Sequence, residues 1–284
     1  MSRHRSLTAA LVSSLALVAS LLLASPVHAA TSEVNDWTCQ PSAAQPRPVV
    51  LLHGLSANAE ANWSFHGPRI AAAGYCVFSL TYGVGPWGPS SGGWVPIDES
   101  ADEIGAFIDE VLLATGAAQV DLVGHSEGAF QSLYVTKVKE YADRVGRVVA
   151  LAPPTHGTSV AGLVTLGYLL GGQSLVEAFT SLAQCPACAD LVVGGGAVGL
   201  LTDGPIAQPG VTYTIVASRY DAVVTPPTTS FVKEPGVTNY FVQDRCPFDL
   251  VGHVGIAVDP TLTSMILRGL DGSSKITCGF GPPL

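Results

Sequence analysis

Gly124-His125-Ser126-Glu127-Gly128 stands directly between the apolar run Val120-Asp121-Leu122-Val123 and the segment Ala129-Phe130-Gln131-Ser132-Leu133-Tyr134. That order reads as strand, tight turn and helix. Glycine two positions to either side of a serine suits a sharp strand-to-helix turn, because backbone without Cβ atoms packs closely and the serine hydroxyl is pushed outward.

The flanking sequence supplies more elements of the same kind. Val49-Val50-Leu51-Leu52 is a continuous apolar run of strand length, as expected of a strand buried on both faces, and it ends in His53-Gly54-Leu55-Ser56. Residues 69–73 read as helix stopped by Gly74, and Tyr75 to Leu80 as a second buried strand. Tyr82 to Pro96 is rich in Gly, Pro and Trp without periodicity and reads as a loop. Apolar residues at Ile97, Ala101, Ile104, Ile108, Val111 and Leu112 have the spacing of a helix lying on a sheet, and Gly116 caps it. After the helix from Ser126 to about Val138, a strand runs from Val145 to Leu151 and breaks at Pro153-Pro154. Strands follow at Val211–Ala217 and Thr238–Gln243, with a closing amphipathic helix from Pro260 to about Leu270. Strands alternating with helices in this way predict an α/β fold, a mostly parallel sheet with helices on both faces. Residues 155–207 interrupt the pattern: they are glycine-rich and apolar, with Glu177, Asp190 and Asp203 their only charges, and read as an inserted cap.

The first residues stand apart from this domain. A basic start with Arg3 and Arg5, an uncharged apolar stretch from Leu7 to Ser25 and the small-x-small site Val27-His28-Ala29 predict a secretory signal peptide over residues 1–29. Residues 30–284 then suit one large domain in an exported protein. With 13 Lys and Arg against 22 Asp and Glu, and Arg3 and Arg5 removed with the leader, nucleic acid is excluded as a partner on electrostatic grounds. A neutral substrate is the expectation from this charge, and a monomeric state is expected.

Six cysteines, Cys39, Cys76, Cys185, Cys188, Cys246 and Cys278, all follow the leader, in a compartment where disulfides persist. Sequence alone leaves their pairing open; order along the chain favours Cys39–Cys76, Cys185–Cys188 and Cys246–Cys278. Cys185-Pro-Ala-Cys188 lacks a second ligand pair at zinc spacing, so no metal and no organic cofactor is expected.

A serine hydroxyl is a weak nucleophile that needs a histidine to take its proton and a carboxylate to orient that histidine. In chain order, Ser126 is followed by Asp221 after the Val211–Ala217 strand, and by His253 after the last strand. Both fall at carboxyl ends of strands, where open α/β sheets place ligands. Asp203, Asp244 and Asp249 compete with Asp221 for the acid role, whereas His253 is the only histidine beyond the last predicted strand. Two backbone N–H donors are needed for a tetrahedral oxyanion, and the candidates are those of Glu127, which opens a helix, and Leu55, after the first buried strand. His53-Gly54 reads as part of that oxyanion loop, whereas His66, His125 and His156 read as structural.

Taken together, His53-Gly-Leu, Gly124-His-Ser-Glu-Gly, Ala152-Pro-Pro-Thr-His-Gly-Thr, Tyr220-Asp-Ala-Val-Val-Thr-Pro and Gly252-His253 resemble the secreted bacterial lipases and esterases of the α/β-hydrolase superfamily, particularly the actinobacterial ones, over about residues 47–270. The resemblance implies hydrolysis of carboxylic esters, often triacylglycerols, through an acyl-enzyme on Ser126, with a small-molecule or lipid ester as substrate and a transient contact with a lipid interface. The alternatives are a short-chain carboxylesterase, an envelope acyltransferase and a non-catalytic binding protein on the same scaffold. Related lipases often carry Gln where Glu127 stands, and a carboxylate there is expected to add negative charge near the oxyanion.

Overall fold

The computed structural model describes residues 33–85, 87–181 and 184–284, so the leader expected over residues 1–29 lies outside the described residues. The strands are β1 (Val49–Leu52), β2 (Val77–Ser79), β3 (Val120–His125), β4 (Val145–Leu151), β5 (Thr212–Ala217) and β6 (Val237–Phe241). They form one sheet in the order β2-β1-β3-β4-β5-β6, and all the pairings are parallel. Parallel neighbours need crossovers, and up to β5 these contain the helices α1 (Ala59–Trp63), α2 (Gly67–Ala72), α3 (Ile97–Thr115), α4 (Glu127–Lys137), α5 (Val160–Leu170), α6 (Gln173–Thr180), α7 (Pro186–Leu191) and α8 (Gly196–Thr202); β5 reaches β6 through a segment with one 3₁₀ turn, and α9 (Val242–Arg245) and α10 (Pro260–Asp271) follow the last strand.

Because helices cover both faces, β1 and β3 are buried at every position, which is why β1 reads as an unbroken apolar run and β3 as one interrupted by Asp121, whose buried carboxylate pairs with Arg47. One core lies on the α3 and α4 side around Ile104, Ile108, Phe130 and Leu133. The other lies on the α10 side around Leu51, Val149, Met265 and Ile266. The expected Gly116 cap adopts φ 66°, the left-handed conformation that glycine takes without strain.

The structure extends the sequence reading in two places. Helix α1 was not legible because it is one turn long, too short for a period to show; Asn58 caps it by accepting from the Ala61 N–H at 2.8 Å. Helix α9 is shorter still and follows β6 directly. Residues 155–207, expected as an insertion, contain α5 to α8 between β4 and β5. The three cysteine pairs favoured by chain order are all bonded, Cys39–Cys76, Cys185–Cys188 and Cys246–Cys278.

Candidate active site

Segments at the carboxyl ends of β1, β3 and β5, and the loop after α9, meet above the sheet. Ser126 sits at φ 56°, ψ −119°, a conformation that costs a side-chain-bearing residue about 1–3 kcal/mol. Its neighbours enforce it: the Ser126 N–H donates to the Leu151 carbonyl at 2.8 Å, and its own carbonyl accepts from Ala129 and Phe130. The two framing glycines permit this. A Cβ at Gly124 would stand 2.2 Å from the Gly128 carbonyl oxygen, and one at Gly128 would stand 2.1 Å from that of Leu52.

Ser126 Oγ lies 2.7 Å from His253 Nε2, and His253 Nδ1 lies 2.7 Å from Asp221 Oδ2. The other Asp221 oxygen accepts the N–H groups of Val223 and Val224, each at 2.8 Å. All three side chains are buried or nearly so, a setting in which one hydrogen bond orients the next with little competition from water. The competing carboxylates are occupied elsewhere. Asp244 pairs with Arg219 and accepts the Phe241 N–H, Asp249 accepts from the Thr261 hydroxyl, and Asp203 ends α8 in solvent.

The loop after β1 abuts the serine: a Cβ at Gly54 would lie 3.2 Å from Ser126 Cβ. Gly54 N–H donates to Asn62 Oδ1 at 3.0 Å, Ser56 N–H donates to the Gly92 carbonyl at 2.9 Å, and Ser56 itself holds φ 62°. Among the described residues, neither the Leu55 nor the Glu127 backbone N–H has an acceptor, so both donors are available to a ligand.

The imidazoles around this line are structural. His53 stacks on Tyr82 with ring centroids 4.2 Å apart, and its Nε2 accepts the Tyr82 N–H, so its proton is on Nδ1 and reaches the Gly54 carbonyl. His125 spans Asn62 Oδ1 and the His253 carbonyl, at 3.1 and 3.0 Å. It thereby joins the β1 loop to the His253 loop. Burial lowers His53 and His66 to about 4 and His125 to about 3, so all three are neutral in a neutral solution. His156 rests on the Phe231 carbonyl. Asn62, Tyr82 and Gly92 were not singled out from sequence, and no local pattern marks them, since each acts on residues far along the chain.

Glu127 corrects an expectation. Its side chain is fully buried against Gly93, where a Cβ would come within 2.6 Å of Oε2, and neither carboxyl oxygen has a hydrogen-bond partner among the described residues. Burial, with the charge of Asp190 added, pushes its carboxyl well above the usual range, which favours the neutral form over the expected negative charge. The unfolded chain releases this proton near pH 4.5 and the folded chain only at much higher pH. In between, the folded state binds more protons and stability falls as pH rises. Glu127→Gln is expected to remove that slope, gaining on the parent protein as pH rises above the unfolded pKa, by at most about 1.4 kcal/mol per pH unit. Urea unfolding of both proteins at pH 5 and pH 8 measures it; parallel pH dependence would show that the carboxyl is charged when folded.

Above Ser126 and His253 opens a cavity of about 360 Å³, with Gly54 and Leu55 on one wall and Leu166, Leu170 and Leu175 of α5 and α6 on another. A nucleophile, a base, unspent amides and an apolar recess together fit an acyl group, with the carbonyl at the amides and the chain against the leucines.

Residues 47–194 match the alpha/beta hydrolase fold family. A triacylglycerol lipase of Pseudarthrobacter phenanthrenivorans is 31% identical over 134 residues, covering 43% of this chain and 37% of that protein. One of Burkholderia plantarii is also 31% identical over 134 residues, covering 43% and 33%. The chain thus spans about a third of the length of these relatives. Among solved structures, Aspergillus fumigatus lipase B superposes with a TM-score of 0.64 at 17% identity, over 86% of this chain and 57% of the other. The mature form of Bacillus licheniformis lipase BlEst2 gives 0.56 at 17% identity, over 81% and 94%. At such identities the likeness is one of fold.

Proposed function

Since the chain belongs to the alpha/beta hydrolase fold family, we propose that it is an exported serine carboxylic-ester hydrolase, and within that class a triacylglycerol lipase. The observation that carries the reading is the hydrogen-bonded line from Ser126 through His253 to Asp221 at the base of a leucine-walled cavity. Ser126 Oγ attacks the ester carbonyl carbon as His253 Nε2 takes its proton. The oxyanion accepts the Leu55 and Glu127 N–H groups. His253 then returns the proton to the departing alkoxide, leaving an acyl-enzyme. Water, activated by the same imidazole, attacks that acyl carbon and frees Ser126. Asp221 holds the tautomer and orientation of His253 throughout. No step requires a cofactor.

The triacylglycerol reading draws on the named relatives and on α5, which exposes Val160, Tyr168 and Leu169 as well as the cavity-lining Leu170, apolar surface suited to a lipid interface. In this reading residues 155–207 are a cap on a single domain spanning 30–284. Export follows from the leader-like start and agrees with three disulfides. The second reading is a short-chain carboxylesterase, favoured by a cavity at the small end of the ligand-pocket range.

The test is a rate series of p-nitrophenyl esters from acetate to palmitate, with an alkyl phosphonate ester to label the nucleophile. The expected outcome is labelling of Ser126 alone and kcat/KM maintained or rising beyond butyrate. A sharp fall beyond butyrate would move the assignment to the short-chain class, and labelling of another serine would overturn the mechanism.

A further inference from the structure

The sheet carries a second recess at the edge opposite Ser126, near the amino ends of β4, β5 and β6. Register defines it. Arg147 pairs with Thr212, Thr214 with Thr238 and Val216 with Tyr240, so alternation along the strands puts all of these on the face covered by α10. Toward the carboxyl edge that face is apolar, with Val149 and Val216 in the core. Toward the amino edge it becomes Arg147, Thr212, Thr214 and Thr238, a polar stripe where a sheet face under a helix is ordinarily hydrophobic.

Helix α10 approaches closely through Gly269, where a Cβ would meet Val149 Cγ2 at 2.6 Å, and ends at Gly272. Beyond its last turn a cavity of about 340 Å³ remains, walled by the Arg147 and threonine stripe together with Arg245 and Arg268. A second recess of about 370 Å³ shares Arg245 and Arg268 and adds Lys275. The Cys246–Cys278 bridge ties the Lys275 segment to the residue after Arg245, so these cations are stapled together.

The charge there is opposite to that of the molecule. In a chain with 22 acidic and 13 basic residues, four cations converge on these recesses. Arg147 shares Asp121 with Arg47, while Asp271 is held by Ser273 and Ser274. Among the described residues, Arg245, Arg268 and Lys275 have no carboxylate partner, and the hydroxyls of Thr212, Thr214 and Thr238 have no hydrogen-bond partner. Arg245 instead stacks over Tyr240, whose buried hydroxyl is also unpartnered. Guanidinium groups present forked donors that fit the oxygens of tetrahedral oxyanions, and hydroxyls complete such a shell.

We propose that this cleft binds a small ligand carrying a phosphate or sulfate group. The site lies at the opposite strand ends from Ser126 and is independent of ester hydrolysis. The probes are inorganic phosphate and pyrophosphate, with sodium chloride at matched ionic strength as control. The expected result is a saturable rise in melting temperature, about 4 °C at tenfold excess over the dissociation constant, that chloride does not reproduce. Arg245→Ala/Arg268→Ala should abolish the rise while hydrolysing p-nitrophenyl butyrate at the parent rate, showing that the variant is folded. A parallel arm measures flotation with phosphatidylglycerol and phosphatidylcholine vesicles. Binding to phosphatidylglycerol alone, lost in the double variant, would support the site with a lipid headgroup as the source of the phosphate. A rise equal to that in chloride without vesicle binding, or a rise that survives in the double variant, would overturn the proposal.

Discussion

Ser126→Ala is expected to lower kcat on p-nitrophenyl esters about a million-fold while leaving KM within a few-fold. Nucleophile, base and acid act as one unit, so loss of the attacking oxygen forfeits nearly everything the unit contributes. What survives is the modest catalysis of the oxyanion amides and the pocket, about 10³-fold over water. The same reasoning makes His253→Ala almost as damaging, and the Ser126→Ala/His253→Ala double variant little worse than either alone. Initial rates on active-site-titrated protein measure the effect, with circular dichroism to show an intact fold, since Ser126 makes no packing contact that alanine cannot. A Ser126→Ala protein retaining more than about one part in a thousand of the parent rate, free of contaminating esterase, would exclude Ser126 as the nucleophile.

Gly255→Ala is expected to reduce kcat about 100-fold through displacement of His253, without touching the reacting atoms. His253 lies between two glycines whose N–H groups are both held by the chain's last residues: Gly252 donates to the Pro282 carbonyl and Gly255 to that of Leu284, each at 3.0 Å. A Cβ at Gly255 would stand 2.0 Å from Pro282 O, so the segment 281–284 must move and release the loop. That segment is anchored independently by Gly279 N–H on Thr261 Oγ1 and by the Cys246–Cys278 disulfide, whose closed loop contributes about 3–4 kcal/mol. The lost backbone bonds should therefore register mainly in kcat, with KM little changed. Leu284→Ala is the control, because its carbonyl, not its side chain, makes the bond. Full kcat in folded Gly255→Ala protein would show that the tail does not position the histidine.

These cases also mark what the sequence could disclose. Continuous runs such as Val49–Leu52 and Val145–Leu151 identify strands because burial on both faces leaves no other composition, and a parallel sheet follows from the helices between them. Ser126, Asp221 and His253 could be nominated from order alone, since the fold brings carboxyl ends of strands to one edge. The supports were hidden for the same physical reason throughout. Asn62 matters because it meets Gly54 and His125, the Glu127 carboxyl is raised because Gly93 packs against it out of water, and Gly252 and Gly255 matter because Pro282 and Leu284 lie against them. Each depends on a contact between distant segments that no local pattern encodes.

The strand order has a consequence in time. The groups around the cleft come from residues 55, 126, 221 and 253, and the tail that braces the last of them reaches 284, so the site draws on nearly the whole length of the domain. Parallel neighbours cannot meet through a hairpin, and every pairing waits on closure of a long crossover, a topology that folds slowly. On the proposed mechanism full turnover then waits on docking of residues 281–284 against Gly252 and Gly255, and the rise to full activity during refolding reports when that contact forms.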